Sequence, residues 1–166
     1  IKKTFICVEK MKCDVAIFYS DFIPENDIWD NISELKKKQN GIDLGERMEN
    51  AFHWGFKSKF SPIVIVGTDL WDLSEKDLIA SFKKLNFHDV VLGPSYDGGY
   101  YLLGIKKNEP SIFKNMPWST NQVLSKTLKI LKDKRVFLLE EKNDIDDWKD
   151  FKNCKGLFEN KISAKI

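Results

Sequence analysis

The chain has 166 residues, 42% of them hydrophobic and 31% charged, which is enough to bury the core of one globular domain. A net charge of +2, from 27 basic and 25 acidic residues, lacks the basic excess of a general nucleic-acid-binding protein. No apolar run approaches the ~20 residues of a membrane-spanning helix. Three cysteines, Cys7, Cys13 and Cys154, show no C-x-x-C spacing, so we expect reduced thiols in a cytoplasmic protein rather than zinc or disulfides.

Apolar runs and helical patterns alternate along the chain. The patterns predict strands at Val15–Ser20, Pro62–Val66, Asp89–Gly93, Tyr100–Ile105 and Arg135–Glu140. They predict helices over Trp29–Lys38, from Leu44, after the Ser74 cap, after a capping box at Ser119–Gln122, and around Trp148–Asn153. In the first of these helices, Ile32 and Leu35 would face inward and Lys36–Lys38 would be a solvated end.

The alternation predicts an α/β fold with one mostly parallel sheet covered by helices on both faces, as a single domain over residues 1–166. The link from Asp89–Gly93 to Tyr100–Ile105 is too short for a crossover helix. We therefore expect Tyr100–Ile105 to run antiparallel to its neighbours, which makes the sheet mixed.

Candidate functional residues follow the ends of predicted strands, where open α/β sheets bind their ligands. Asp69 is placed to bind Mg²⁺ or Mn²⁺, but an N-cap or turn aspartate fits the pattern equally well. Asp97-Gly98-Gly99 suits a backbone that approaches a ligand, although a hairpin loop explains it better. The three carboxylates in Asp144–Asp147 would repel one another unless a cation or hydrogen-bond donors compensate. Such a run of acidic residues is also ordinary in a solvated loop.

Five segments, taken in order, resemble one family. They are Gly41–Met48 (G-x-D-L-G-x-R-M), Val64–Asp69 (a strand ending in G-[ST]-D), Gly93–Gly104 (G-P-x-x-D-G-G-Y-Y-L-x-G), Trp118–Thr120 (W-S-T) and Asp144–Asp146 (D-I-D). The family is the bacterial group of small GT-A-like transferases often called radical-SAM/selenodomain-associated transferases. It is similar in fold to the guanylyltransferases of molybdenum-cofactor and phospholactate metabolism.

The resemblance implies a Rossmann-like, three-layer GT-A domain that binds a nucleotide-diphospho-sugar through Mg²⁺ or Mn²⁺. It places Asp69 and Asp97 in catalytic positions, and Asp69, Asp144 and Asp146 as metal ligands. The substrate-binding positions that it implies are Gly41, Asp43, Gly45, Arg47, Gly67, Thr68, Gly98, Gly99, Tyr100, Trp118, Ser119 and Thr120. The resemblance does not indicate the nucleotide base, the sugar or the acceptor. A homodimer is possible.

Two departures from the family pattern keep other functions open. Leu70-Trp71 follows the G-T-D box, where the family usually has one residue and then proline. The family also begins with a strand and a basic P-G-x-x-K-T-R-L loop that cradles phosphates, and nothing like these precedes Val15. Ile1–Met11 resembles the end of the helix that follows this loop in the family. We expect that the strand and the loop lie outside this sequence or have been lost. The hypotheses are therefore a glycosyltransferase-like enzyme, a nucleotidyltransferase that releases pyrophosphate, and a non-catalytic remnant that dimerises or binds a partner.

Overall fold

The computed structural model describes residues 1–142, and the predicted helix at Trp148–Asn153 lies outside them. The helices are α1 (Lys2–Glu9), α2 (Leu44–Lys57), α3 (Glu75–Leu85) and α4 (Val123–Ile130), with short 3-10 helices at Ile28–Asn31 and Pro110–Ile112. The strands are β1 (Ala16–Tyr19), β2 (Leu35–Lys38), β3 (Ile63–Val66), β4 (Val90–Pro94), β5 (Tyr100–Ile105) and β6 (Val136–Leu138). No helix in this part of the chain is long and apolar enough to cross a membrane.

The strands form two sheets rather than the single sheet that we predicted. β1 and β2 pair in parallel, while the second sheet has the order β3-β5-β4-β6. β5 runs antiparallel to both β3 and β4, and β6 runs parallel to β4. The prediction of a mixed sheet with one reversed strand is therefore confirmed, and β3, β4 and β6 all point the same way.

Alternate residues of the four-stranded sheet pack against helices on its two faces. On one face, Val64 and Val91 belong to a cluster that includes Cys7 of α1 and Leu78 of α3. On the other face, Leu92 belongs to a cluster with residues of α2 and α4, such as Phe52 and Leu128. The helix–sheet–helix arrangement confirms the predicted three-layer α/β fold.

Local sequence explains where α2 and α3 begin. The Asp43 carboxylate accepts a hydrogen bond from the Glu46 N–H at 2.8 Å and so caps α2. At the start of α3, the Asp77 carboxylate accepts bonds from both the backbone N–H and the hydroxyl of Ser74, at 2.8 and 2.7 Å. Both helix starts lie where the sequence predicted them.

The prediction of a helix over Trp29–Lys38 is wrong. Asp27 caps only the single 3-10 turn, and Leu35–Lys38 forms β2 beside β1. Lys36 is not part of a solvated end, because its side chain is only 12% exposed and pairs with Asp27 at 2.9 Å and with Asp30. Pairing with β1 thus overrides the helical propensity of leucine and lysine.

The predicted capping box at Ser119–Gln122 is also not formed. Ser119 has a φ of +60°, and α4 begins at Val123 without a side-chain cap. The Leu124 N–H instead donates to the carbonyl of Gly98, at 2.9 Å, in the turn before β5. A backbone carbonyl from another part of the chain therefore replaces the expected side-chain cap.

The ion pair between Asp89, just before β4, and Arg135, just before β6, makes acid stability testable. Hydrogen bonds from Arg135 lower the pKa of Asp89 to about 2, below its ordinary 3.8. A lowered folded-state pKa gives stability that is present above the ordinary value and is lost as pH falls toward the folded value. In urea titrations, Asp89→Asn should therefore be less stable than wild type above pH ~4, with the difference vanishing near pH ~2.

The exposed Asp14 supplies the matched control, and Asp14→Asn should change stability little at any pH. A constant difference between Asp89→Asn and wild type from pH 6 to pH 2 would contradict the role of this ion pair.

Candidate functional site

Two of the candidate segments lie at one rim of the four-stranded sheet. Gly67-Thr68-Asp69 follows the end of β3, and Ser95–Gly99 joins the end of β4 to the start of β5. Because β3 and β4 point the same way and β5 runs back between them, these two segments share the carboxyl-end rim.

Asp69 is an exposed residue on the loop after β3. Its carboxylate accepts a hydrogen bond from the Thr68 hydroxyl at 3.2 Å, and the Thr68 carbonyl accepts one from the Thr4 hydroxyl at 3.2 Å. Asp69 does not cap α3, because the N-cap of that helix is Ser74, five residues later. One of the two structural explanations of Asp69 is thereby removed, and its carboxylate lies open at the rim.

The Gly41–Arg47 segment is held together by its own side chains. Gly41 has a φ of +139°, a region that favours glycine, and a Cβ there would come within 2.7 Å of the Arg47 nitrogen. Arg47 in turn donates from Nε to the Gly41 carbonyl at 3.2 Å. Asp43 and Arg47 therefore already have structural partners, and their predicted substrate contacts stay predictions.

Gly45 brings three of the sequence boxes into contact. A Cβ on Gly45, in α2, would lie 2.1 Å from Nε1 of Trp118, so the indole packs directly on the glycine. The same indole packs edge-on against Tyr100 and is stacked with Phe113, each with ring centroids 6.5 Å apart. Burial raises the pKa of the Tyr100 hydroxyl to about 12. The three boxes are separate in the sequence, but the contacts of Gly45, Trp118 and Tyr100 bring them together beside the rim. We call these packed residues the aromatic wall.

Thr120, also in the W-S-T box, is exposed beyond this wall. Its hydroxyl donates to the Pro117 carbonyl at 2.7 Å. This hydrogen bond is local to the loop. The predicted substrate-binding roles of Ser119 and Thr120 therefore stay predictions.

Asp97 shapes the turn between β4 and β5. Its Oδ1 accepts bonds from the Ser95 hydroxyl at 2.5 Å and from the Gly99 N–H at 2.9 Å. The hairpin explanation of Asp97-Gly98-Gly99 is therefore correct as far as the backbone is concerned. The turn stands at the same rim as Asp69, at the carboxyl ends of β3 and β4.

A buried lysine that sequence reasoning missed links two parts of the rim. The Lys142 side chain is 11% exposed, and its Nζ donates to the Asp72 carbonyl and pairs with Asp77, both at 2.9 Å. Burial raises the pKa of the Asp72 carboxyl, an effect that Lys142 opposes. Seventy residues separate Lys142 from Asp72, so no local pattern could have shown this contact. The hydrogen bond from Lys142 to Asp72 connects the segment after β6 to the loop that carries Asp69.

The described residues contain no complete metal-binding group. Within residues 1–142, no three histidine, cysteine or acidic side chains are grouped closely enough to hold an ion. Asp144 and Asp146 lie outside the described residues. Exposed carboxylate oxygen is a donor that Mg²⁺ and Mn²⁺ accept, so Asp69 has suitable chemistry for one ligand of such an ion.

Comparison with known proteins relates this rim to a family. Residues 5–120 match the model of a family described as "Uncharacterized protein conserved in bacteria (DUF2064)". A crystal structure from Desulfovibrio desulfuricans, titled "putative nucleotide-diphospho-sugar transferase", is similar with a TM-score of 0.76 and 26% sequence identity. The similarity covers 87% of this chain and 66% of that one, so the chain spans just under two-thirds of its structural relative. No functionally curated protein matches the chain.

Proposed function

Because this chain belongs to the bacterial DUF2064 family, we propose that it is part of a metal-dependent transferase that takes a sugar from a nucleotide-diphospho-sugar. The similarity of fold and sequence to the Desulfovibrio protein supports the substrate class. The resemblance of five ordered sequence boxes to the GT-A-like transferases supports the same substrate class.

The proposal is carried by one observation, which is that four of the five boxes meet at one end of the fold. The aromatic wall around Trp118, the turn at Asp97 and the exposed Asp69 come from four separate segments of sequence, yet all belong to one end of the fold. Structural needs alone explain the packing of Gly45 and the turn at Gly98. The exposed carboxylate of Asp69 stands at the end of an apolar strand, which is the place where open α/β sheets bind their ligands.

In the proposed site, Asp69 would hold a divalent ion together with Asp144 or Asp146. The ion would supply positive charge to the departing diphosphate. Backbone N–H groups of the Asp97–Gly99 turn would lie toward the sugar or the acceptor. The Trp118–Thr120 loop would close the site on the side of α2.

Ligand-dependent stability tests this proposal in the natural full-length protein. With Mn²⁺ and a matching nucleotide-sugar at a hundred times its dissociation constant, the unfolding free energy should rise by about 2.7 kcal/mol. We expect the increase for one of the UDP-, GDP-, CDP-, ADP- or TDP-sugars, and we expect it to require the metal.

The products then identify the reaction. Release of a nucleoside diphosphate would support sugar transfer, whereas release of pyrophosphate from a nucleoside triphosphate would show a nucleotidyltransferase instead. If no nucleotide or nucleotide-sugar changes the melting temperature with either metal, the proposed function is wrong.

A further inference from the structure

Lys142 contacts two segments of the rim at once, one with its backbone and the other with its side chain. Its N–H donates to the Pro94 carbonyl at the end of β4, and its carbonyl accepts a bond from the Tyr96 N–H, each at 3.0 Å. One isolated bridge, between Ser95 and Lys142, thereby extends the parallel pairing of β4 and β6 toward the rim. The backbone of Lys142 is thus fixed against the start of the turn that contains Asp97.

The side chain of Lys142 reaches the loop that runs from Asp69 to Leu73, between β3 and α3. Its ammonium group donates to the Asp72 carbonyl and pairs with the Asp77 carboxylate, both at 2.9 Å. The side chains of Lys142 and Asp77 are only 11% and 12% exposed. An ion pair that is shielded from water in this way is costly to break, because either charge would lose its partner.

One carboxylate oxygen joins this contact to the start of α3. Oδ2 of Asp77 accepts from Lys142 and also from the backbone N–H and the hydroxyl of Ser74, at 2.8 and 2.7 Å. The two acceptors of the ammonium group therefore belong to the loop and to the helix that follows it. Lys142 holds the whole junction between them.

Two other anchors hold the same loop on the side of α1. The Thr4 hydroxyl donates to the Thr68 carbonyl at 3.2 Å, and the Cys7 thiol donates to the Leu73 carbonyl at 3.3 Å. Because both donors belong to α1, these bonds fix the loop relative to that helix and not relative to the β4–β5 turn. Lys142 supplies the link in the direction of the turn.

We propose that Lys142 is a positioning residue, which holds the loop that carries Asp69 in register with the Asp97 turn so that both reach one metal–diphosphate group. This inference rests on the proposed function and deepens it. Asp69 is exposed, and its hydrogen bond from the adjacent Thr68 is local. Its place at the rim therefore depends on the groups that anchor the rest of the loop.

The contacts of Lys142 distinguish this role from direct binding of phosphate. Its ammonium group is largely buried and is already engaged by Asp72 and Asp77. Groups that orient metal ligands from behind typically affect metal affinity by about 10–100-fold without touching the ion. The expected effect of losing Lys142 is therefore weaker metal binding at Asp69.

The mobility of the loop is tested in the natural full-length protein and its Lys142→Met variant, both without ligand. Methionine keeps an unbranched side chain but removes the charge and the donor. Nitrogen-15 relaxation gives the order parameter of each backbone amide. At Asp69–Asp72 we expect about 0.85 in the wild type, as in rigid backbone, and values falling toward about 0.6 in Lys142→Met.

Metal binding is tested by melting temperature in the same proteins. Mn²⁺ is titrated in the presence of an equimolar mixture of UDP, GDP, CDP, ADP and TDP. The Mn²⁺ concentration that gives half of the rise in melting temperature should be about 10–100-fold higher for Lys142→Met than for wild type.

Lys134→Met is the matched control for both measurements. Lys134 pairs with Glu109 at 2.7 Å, and these residues precede β6 and follow β5, at the opposite end of the sheet. The control should leave the order parameters at Asp69–Asp72 and the Mn²⁺ dependence unchanged. If Lys142→Met does not fold, Lys142→Gln takes its place, and the same results are expected.

Two results would overturn the positioning role and leave the proposed function intact. The first is an order parameter at Asp69–Asp72 that is already low in the wild type, or that Lys142→Met does not change. The second is an unchanged Mn²⁺ dependence in a variant whose loop has become mobile, because Lys142 would then serve stability alone. If the wild type itself shows no Mn²⁺-dependent rise with these nucleotides, the proposed function has failed, and the positioning role fails with it.

Discussion

Replacing Asp69 with asparagine should remove metal-dependent transfer while leaving the fold intact. The side chain is exposed, and its one hydrogen bond comes from the neighbouring Thr68 hydroxyl, so an amide of the same shape changes the packing little. The lost negative charge weakens binding of a divalent ion at the end of β3. Loss of one group that stabilises developing charge typically costs ~10²–10³-fold in turnover, and we expect a decrease of that size.

The measurement is turnover with saturating nucleotide-sugar and a titration of Mn²⁺, together with the melting temperature of the free protein. Asp133→Asn is the matched control, since Asp133 is an exposed aspartate before β6, at the other end of the sheet. We expect unchanged melting temperatures for both variants and unchanged turnover for the control. Full activity of Asp69→Asn at low Mn²⁺ would remove Asp69 from the metal site.

Alanine at Gly98 should destabilise the protein much more than alanine at the adjacent Gly99, although both lie in the β4–β5 turn. Gly98 has a φ of +87°, and a Cβ there would lie 2.3 Å from the backbone oxygen of Asn121. Neither the strain nor the clash can be relieved by turning a side chain, so Gly98→Ala should cost about 3 kcal/mol of unfolding free energy. At Gly99 a Cβ would meet only side-chain atoms of Asp97 and Ser95, at 3.2 Å or more, and we expect a cost under ~1 kcal/mol.

Ligand binding should show an effect of Gly99→Ala that stability does not. If the backbone of the turn approaches the ligand, Gly99→Ala should reduce nucleotide-sugar affinity although it folds normally. Urea titration and ligand-dependent melting of both variants separate the two effects. Equal stability of Gly98→Ala and Gly99→Ala would contradict the packing of this turn on α4. Unchanged ligand affinity of Gly99→Ala would show that the turn is a hairpin without a role in ligand binding.

Several elements followed from local sequence, because their causes lie within a few residues. The apolar spacing from Leu44 predicted α2, and the Ser74–Asp77 cap predicted the start of α3. The apolar run before Gly67 predicted β3, and the short link before Tyr100 predicted that β5 runs antiparallel. Periodicity, capping and loop length act over short distances, which a sequence displays directly.

Other features depended on groups far apart in the chain. Leu35–Lys38 is a strand because β1 lies beside it, although its residues favour helices. The capping box expected at Ser119 gave way to the carbonyl of Gly98.

The candidate site divides in the same way. The position of Asp69 at a strand end could be predicted from the sequence, as could the presence of glycines at the β4–β5 turn. The sequence could not show that Gly45 contacts Trp118, or that Lys142 pairs with Asp77, because both depend on how distant elements pack. By itself, the sequence determined the elements whose causes are local, such as α2, α3 and β3, and the residues that stand at their ends. Only the tertiary structure decided which elements meet and that the sheet is divided between β1 and β3, because strand pairing and side-chain packing join residues that are distant in sequence.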